Sequence, residues 1–312
     1  MNLPKKVTLR EVAPRDGFQS LNQFVPTEQK LEIIQALVAA GIRIVEATSF
    51  VSRTAIPQLR DAAAVMAGVP RGKVVYGSLV PNLRGARDAI AAGVDEIVVV
   101  ISATEDHNRE NIRRGIDASL SDLDAIFDVA LAAGVGVIGA VAVSFGCSLQ
   151  GDVPDANVFR IVEEYVRHGA SSVLLADTTG MAGPTRVKAR VISYMERFYD
   201  TRLILHFHNN RGVAMANLLA ALQAGATCFD TALGGIGGCP NVPQAAGNLA
   251  TADVVFMLED MGVHTGIDLE KIIGAARRLE QILGYPLPGQ VMKSGPRDPR
   301  PTGRLCDIGG RK

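Results

Sequence analysis

The sequence has no excess of charge: 32 acidic and 32 basic residues give a formal net charge of zero. That balance argues against nucleic acid or an anionic membrane as the main partner. Long apolar runs are absent too. The longest, such as Ile97 to Ile101, fall far short of the roughly 20 residues a membrane-spanning helix needs. The opening Met1-Asn2-Leu3-Pro4-Lys5-Lys6 lacks a hydrophobic signal region, so the expected compartment is the cytoplasm. Cysteine is scarce and irregular. Cys147, Cys228, Cys239 and Cys306 form no disulfide framework and no Cys-x-x-Cys pair. Reduced thiols follow, with no structural zinc site. No Gly-x-Gly-x-x-Gly follows the first apolar run, which weighs against a doubly wound open sheet, and no long linker divides the 312 residues.

What the chain does have is a recurring phrase. Alanine-rich helical text ends in a glycine and a β-branched run follows. Ala36 to Gly41 leads into Ile42-Arg43-Ile44-Val45-Glu46, and Ala89 to Gly93 leads into Glu96-Ile97-Val98-Val99-Val100. The phrase returns at Gly134, Gly169 and Gly225. Each glycine stands where a left-handed helix cap is wanted. The runs are apolar almost throughout rather than alternating, as in strands buried on both faces. Eight are expected: Val7–Val12, Ile42–Ala47, Lys73–Leu79, Glu96–Ile101, Val137–Val143, Ser172–Ala176, Leu203–His208 and Thr227–Thr231. Eight strand–helix repeats predict a (β/α)8 TIM barrel, for which roughly 250 residues is typical. The expectation is one barrel domain over 1–312, with C-terminal helices within 251–288 and an irregular tail over 289–312.

In such barrels the chemistry collects at the C-terminal ends of the strands. Strand 7 ends in His206-Phe207-His208, and a side-chain period of two aims both imidazoles the same way. Strand 1 leads to Arg15-Asp16, strand 2 carries Glu46, strand 6 ends at Asp177, and strand 8 leads to Gly234-Gly235-Ile236-Gly237-Gly238-Cys239-Pro240 and then Asn248. One acidic residue after a strand is usually a helix cap. Several acids and two histidines on one face point instead to a functional cluster. Asp16, His206 and His208 are the expected metal ligands, with Asn248 a candidate for a further oxygen. Mixed oxygen and nitrogen donors suit Mg²⁺, Mn²⁺ or another hard to borderline divalent ion. Arg15 is placed to offset the charge of a developing enolate or to bind a carboxylate, or else to hold Asp16. Cys239, in a glycine-dense loop, is a candidate proton donor or acceptor. Cys147 and Cys228 read as small buried hydrophobes.

At these residues the sequence resembles the 3-hydroxy-3-methylglutaryl-CoA lyase family. The likeness rests on Val12-Ala13-Pro14-Arg15-Asp16-Gly17-Phe18-Gln19, Glu46-Ala47-Thr48-Ser49-Phe50-Val51-Ser52, Asp177-Thr178-Thr179-Gly180, His206-Phe207-His208, the Gly234 to Pro240 loop, and Ala246-Gly247-Asn248-Leu249-Ala250-Thr251-Ala252-Asp253. It runs from about Val7 to about Gly284. The resemblance implies a TIM-barrel lyase that cleaves 3-hydroxy-3-methylglutaryl-CoA to acetyl-CoA and acetoacetate. It implies Mg²⁺ or Mn²⁺ held by Asp16, His206, His208 and Asn248, and catalytic parts for Arg15, Cys239, His206, Asp177 and Glu46. The base at the substrate hydroxyl is His206 or Asp177. The expected partner is an acyl-CoA, and the chain is expected to form a homo-oligomer, a dimer or tetramer. A lyase for a related 3-hydroxy-acyl-CoA, an acyl-CoA-condensing synthase and a 2-oxo acid aldolase are the enzymatic alternatives. A Schiff-base aldolase needs a strand-end lysine, and Lys73 begins its strand. A non-catalytic barrel is the other class, against which Asp16, His206, His208 and Cys239 argue.

Overall fold

The computed structural model describes residues 3–238 and 246–297. Eight parallel strands close on themselves in chain order: β1 (Thr8–Glu11), β2 (Ile44–Ser49), β3 (Val75–Val80), β4 (Glu96–Ser102), β5 (Gly136–Ala142), β6 (Ser172–Asp177), β7 (Arg202–Phe207) and β8 (Cys228–Thr231). The closing pair is β1 with β8, in register from Thr8 opposite Cys228 to Glu11 opposite Thr231. That pair rules out the open sheet. The strands begin and end within two residues of the expected bounds, β2 being the most shifted. His208 lies one residue beyond β7 yet continues its line, through an isolated bridge to Asn248.

Each of the seven strand-to-strand connections carries a principal helix: α1 (Thr27–Ala39), α2 (Ala62–Gly68), α3 (Leu83–Ala91), α6 (Leu123–Ala132), α7 (Asp155–Arg167), α8 (Pro184–Arg197) and α9 (Ala214–Gln223). Two short helices, α4 (Glu105–Ile112) and α5 (Ile116–Ser121), precede α6. After β8 come α10 (Thr251–Asp260) and α11 (Leu269–Leu283), and α11 packs against α1 to complete the outer ring. The segment from Gly289, expected to be irregular, forms a short helix, α12 (Val291–Ser294), where the backbone amides of Gln290 and Val291 donate to Asp253. Among the described residues no helix is long and apolar enough to cross a membrane.

Two apolar layers hold the barrel. The larger lies between strands and helices and contains residues such as Ile33, Leu37, Val141, Tyr165, Leu205 and Leu258. The smaller fills the barrel itself: Val98, Ile138, Ala140, Leu174, Ile204 and Cys228. Packing is close enough to dictate residue size. Tyr165 of α7 lies against Gly139 of β5, where a Cβ would come within 2.2 Å of its ring, and its hydroxyl donates to the carbonyls of Val99 and Ala140. Cys228 is fully buried, and burial pushes its thiol up to about 11. Cys147, also buried, accepts a hydrogen bond from the Thr104 hydroxyl at 3.3 Å. Both behave as the small hydrophobes expected of them.

Candidate metal centre

The polypeptide leaves β1 through a wide turn, Ala13–Gly17, in which the Gly17 N–H reaches back five residues to the Val12 carbonyl. Pro14 suits the first turn because its missing N–H has no partner to lose there. This turn lifts Arg15 and Asp16 over the C-terminal mouth of the barrel. Across the mouth, His206 at the end of β7 and His208 just beyond it point to the same side, as the strand period requires. Their Nε2 atoms stand 3.1 Å apart, and Asp16 Oδ2 is 3.5 Å from His208 Nε2. One ligand atom from each of the three lies within 4.8 Å of the others.

The hydrogen bonds fix what those nitrogens present. His208 Nδ1 lies 2.7 Å from the Thr178 carbonyl, which can only accept, so Nδ1 carries the proton. His206 Nδ1 lies 3.1 Å from Asp230 Oδ2, also an acceptor. In the neutral imidazoles both Nε2 atoms therefore turn lone pairs toward one another and toward a carboxylate oxygen. Such a convergence of electron pairs calls for a cation. A proton on His206 is one answer, and a divalent ion is another. Ligands at right angles, each about 2.1 Å from a shared ion, stand about 3.0 Å apart. The observed spacing and the mixed oxygen and nitrogen donors fit such an ion.

The charges around the cluster are paired in depth. Arg15 donates from Nε to Glu46 Oε1 and from a terminal nitrogen to Asp16 Oδ1 at 2.8 Å. Arg15 and Asp16 keep 12% and 13% of their side chains exposed, whereas Glu46 is fully buried, so the pair faces the mouth and Glu46 supports it from below. Beneath Glu46 lies Arg10, almost wholly buried inside the barrel, 2.8 Å from Asp230 Oδ1, 3.2 Å from Glu96 and 3.9 Å from Glu46. Burial on its own would raise the Asp16 carboxyl, but Arg15 and the two histidines outweigh it and hold that carboxyl well below the usual range. At His206 burial is likewise outweighed, by Asp230 and Asp16, and the imidazole is raised. Asp230 is held low because Arg10 overcomes its burial.

Asn248 reaches the same cluster, but with its nitrogen: Nδ2 donates to Asp16 Oδ2 at 2.7 Å and to the Ile236 carbonyl at 3.0 Å. In this orientation it steadies Asp16, and presenting Oδ1 as a ligand requires its amide to turn over. Asp177 sits behind His208. Its Oδ1 accepts the N–H groups of Met181 and Ala182, and its Oδ2 shares only the second. Burial raises its carboxyl. The glycine-rich loop approaches closely: a Cβ on Gly237 would lie 2.2 Å from Asn248 Nδ2 and 2.9 Å from Asp16 Oδ2. Cys239, like Cys306, lies outside the described residues.

Arg10, Glu11, Glu96 and Asp230 are not among the expected site residues: Arg10 and Asp230 stand inside β1 and β8, Glu96 opens β4, and Glu11, though it closes β1, shows nothing local of the distant groups it meets. A charge inside an otherwise apolar, doubly buried strand was the available signal, since such groups are buried only when paired.

The chain matches the HMGL-like family model over residues 6–279. It is 43% identical to the hydroxymethylglutaryl-CoA lyase YngG of Bacillus subtilis over 298 residues, covering 94% of this chain and 100% of that one. It is 36% identical to the human mitochondrial hydroxymethylglutaryl-CoA lyase over 293 residues, covering 94% of this chain and 90% of that one. Among solved structures, it superposes with a TM-score of 0.92 and 41% identity on an HMG-CoA lyase from Acinetobacter baumannii in complex with coenzyme A and 3-methylmalate, covering 96% of this chain and 98% of that one.

Proposed function

The chain belongs to the HMGL-like family, and from that membership and the centre above we propose that it is a carbon–carbon lyase that cleaves 3-hydroxy-3-methylglutaryl-CoA to acetyl-CoA and acetoacetate with a divalent cation. The observation that carries the reading is the convergence of Asp16, His206 and His208 beside a buttressed Arg15. Likeness to lyases along nearly the whole of both chains supports it. So does the coenzyme A in the Acinetobacter complex, which favours an acyl-CoA substrate.

Mg²⁺ or Mn²⁺ held by Asp16, His206 and His208 supplies Lewis acidity that makes the tertiary hydroxyl of the substrate easier to deprotonate. The hydroxyl proton then goes to a base. Asp177 is the better candidate: burial raises its carboxyl and its Oδ2 keeps a free lone pair, whereas His206 Nε2 is engaged in the ligand set. As the hydroxyl oxygen becomes a carbonyl, the bond between the carbinol carbon and the thioester α-carbon breaks. Its electron pair moves onto the thioester fragment as an enolate. Arg15 is permanently charged and held by Glu46 and Asp16, so it meets that developing negative charge without reorganising. Cys239 is our candidate to protonate the enolate carbon and release acetyl-CoA.

The test is release of acetoacetate and acetyl-CoA from the thioester by the purified chain. The assay is run after chelation, after Mg²⁺ or Mn²⁺ is restored, and with Asp16→Ala and His208→Ala. Turnover that depends on metal and is lost in both variants supports the reading. Turnover indifferent to chelation, or no cleavage of this thioester, overturns it.

A further inference from the structure

Glu11, the last residue of β1, is fully buried and lies outside the ligand cluster. Its carboxylate reaches three separate segments. Oε1 accepts the N–H of Ala13 at 2.9 Å and the N–H of Leu233 at 2.8 Å, while Oε2 accepts from the Thr251 hydroxyl at 2.7 Å. Ala13 opens the turn that carries Arg15 and Asp16. Leu233 opens the glycine-rich loop. Thr251 begins α10, three residues after Asn248. Each segment therefore leaves Glu11 and arrives at the metal centre.

The junction above Glu11 has little room for error. A Cβ on Gly237 would collide with Asn248 and Asp16, and a Cβ on Gly17 would lie 2.6 Å from the Ile236 side chain. Turn and loop are thus seated against each other at two places, and one oxygen of Glu11 holds the roots of both. Its burial is costly for a carboxylate: burial, opposed by the three hydrogen bonds, pushes it up to about 7. A side chain kept there only to fill space would be apolar.

We propose that Glu11 is a positioning residue for the cleavage reaction, one that sets the register between the Arg15–Asp16 turn and the glycine-rich loop by accepting from Ala13 and Leu233 through one oxygen. The proposal rests on the lyase reading above. Glu11→Gln keeps an oxygen for both N–H groups and offers its amide to the Thr251 hydroxyl. Glu11→Asp keeps the acid but withdraws it by one methylene, out of reach of at least one root. Glu11→Ala leaves all three groups without their partner.

The experiment compares these variants for melting temperature, Mn²⁺ dissociation constant by calorimetry, and kcat and KM. Glu11→Gln is expected to stay within about threefold of the parent in all three kinetic and binding quantities. Glu11→Asp is expected to lose roughly 10²-fold in kcat, the size of effect that follows from displacing reacting groups by about 1 Å. Its Mn²⁺ affinity should fall about 10-fold, as for residues that support metal ligands, while KM changes little. Glu11→Ala serves as the severe case, and Glu11→Asp decides the matter if the alanine variant does not fold. A lowered melting temperature with kcat and Mn²⁺ affinity intact in Glu11→Asp overturns the proposal, because that is what simple packing would give. So does a Glu11→Gln variant as impaired as Glu11→Asp. Failure of the parent chain to cleave the thioester would instead overturn the lyase reading, and the Mn²⁺ titration would still report on Glu11.

Discussion

Replacing Asp230 with asparagine changes almost no volume, yet it reverses the sense of one hydrogen bond. The new side chain can keep an oxygen toward Arg10, now 2.8 Å from Oδ1. Its amide N–H then faces His206 Nδ1, where the carboxylate now accepts at 3.1 Å. Two donors cannot pair, so the imidazole proton moves to Nε2. That nitrogen lies 3.1 Å from His208 Nε2, in the space where lone pairs converge. One of the three proposed metal ligands is then lost without being mutated. Loss of a supporting hydrogen bond typically costs 10- to 100-fold in metal affinity, or about 1.4–2.7 kcal/mol. Folding should suffer less. Orphaning one member of a buried ion pair costs about 3–5 kcal/mol, but Arg10 still has Glu96 at 3.2 Å and Glu46 at 3.9 Å, so about 1–2 kcal/mol is expected. Calorimetric titration with Mn²⁺ measures the first quantity and denaturant unfolding the second. Mn²⁺ bound by Asp230→Asn within about threefold of the parent would refute the tautomer argument.

Other perturbations separate the remaining parts. Arg15→Met should lower kcat by about 10²- to 10³-fold, the usual effect of removing an oxyanion-stabilising donor, with KM nearly unchanged; a large rise in KM alone would mean Arg15 binds ground-state substrate. Asp177→Asn should lower kcat by about 10²- to 10⁴-fold if it is the base at the hydroxyl, and a near-normal rate would move that role elsewhere. Gly237→Ala should abolish turnover while leaving the barrel folded, because the position has φ +119° and its Cβ would strike Asn248 and Asp16; circular dichroism with the product assay checks both halves. Glu11 also makes stability depend on pH. Its folded pKa is raised by burial to about 7 from 4.5, so its contribution is complete below about 4.5 and is lost as pH rises through 7. The loss is about 3 kcal/mol. The stability of the parent minus that of Glu11→Gln should fall by that amount between pH 4 and 8, and a flat difference would contradict it.

The fold was legible because its signals are local and repeated. The turn from helix to strand at Gly41 has φ +108°, where glycine alone is unstrained, and the same alanine–glycine phrase returns along the chain. The meeting of His206 and His208 was legible as well, since their two-residue spacing needs no tertiary knowledge to put both on one side. What lay beyond reach was pairing across the barrel. Nothing local to Arg10 says that it meets Asp230, Glu96 and Glu46, residues 36 to 220 positions away in sequence. Nor does anything around Asn248 say which face of its amide meets Asp16. Asp177 shows both sides of the matter: it anchors the backbone of Met181 and Ala182, as an ordinary turn carboxylate does, yet burial raises its carboxyl and the charges of His208 and His206 act on it.

The most direct measurement is acetoacetate release from 3-hydroxy-3-methylglutaryl-CoA by the metal-stripped chain as Mn²⁺ is added back. Activity should rise from the stripped baseline and saturate at one ion per chain, and Asp16→Ala should show neither the saturation nor the product. Full turnover by the stripped chain, or by Asp16→Ala, would contradict the account.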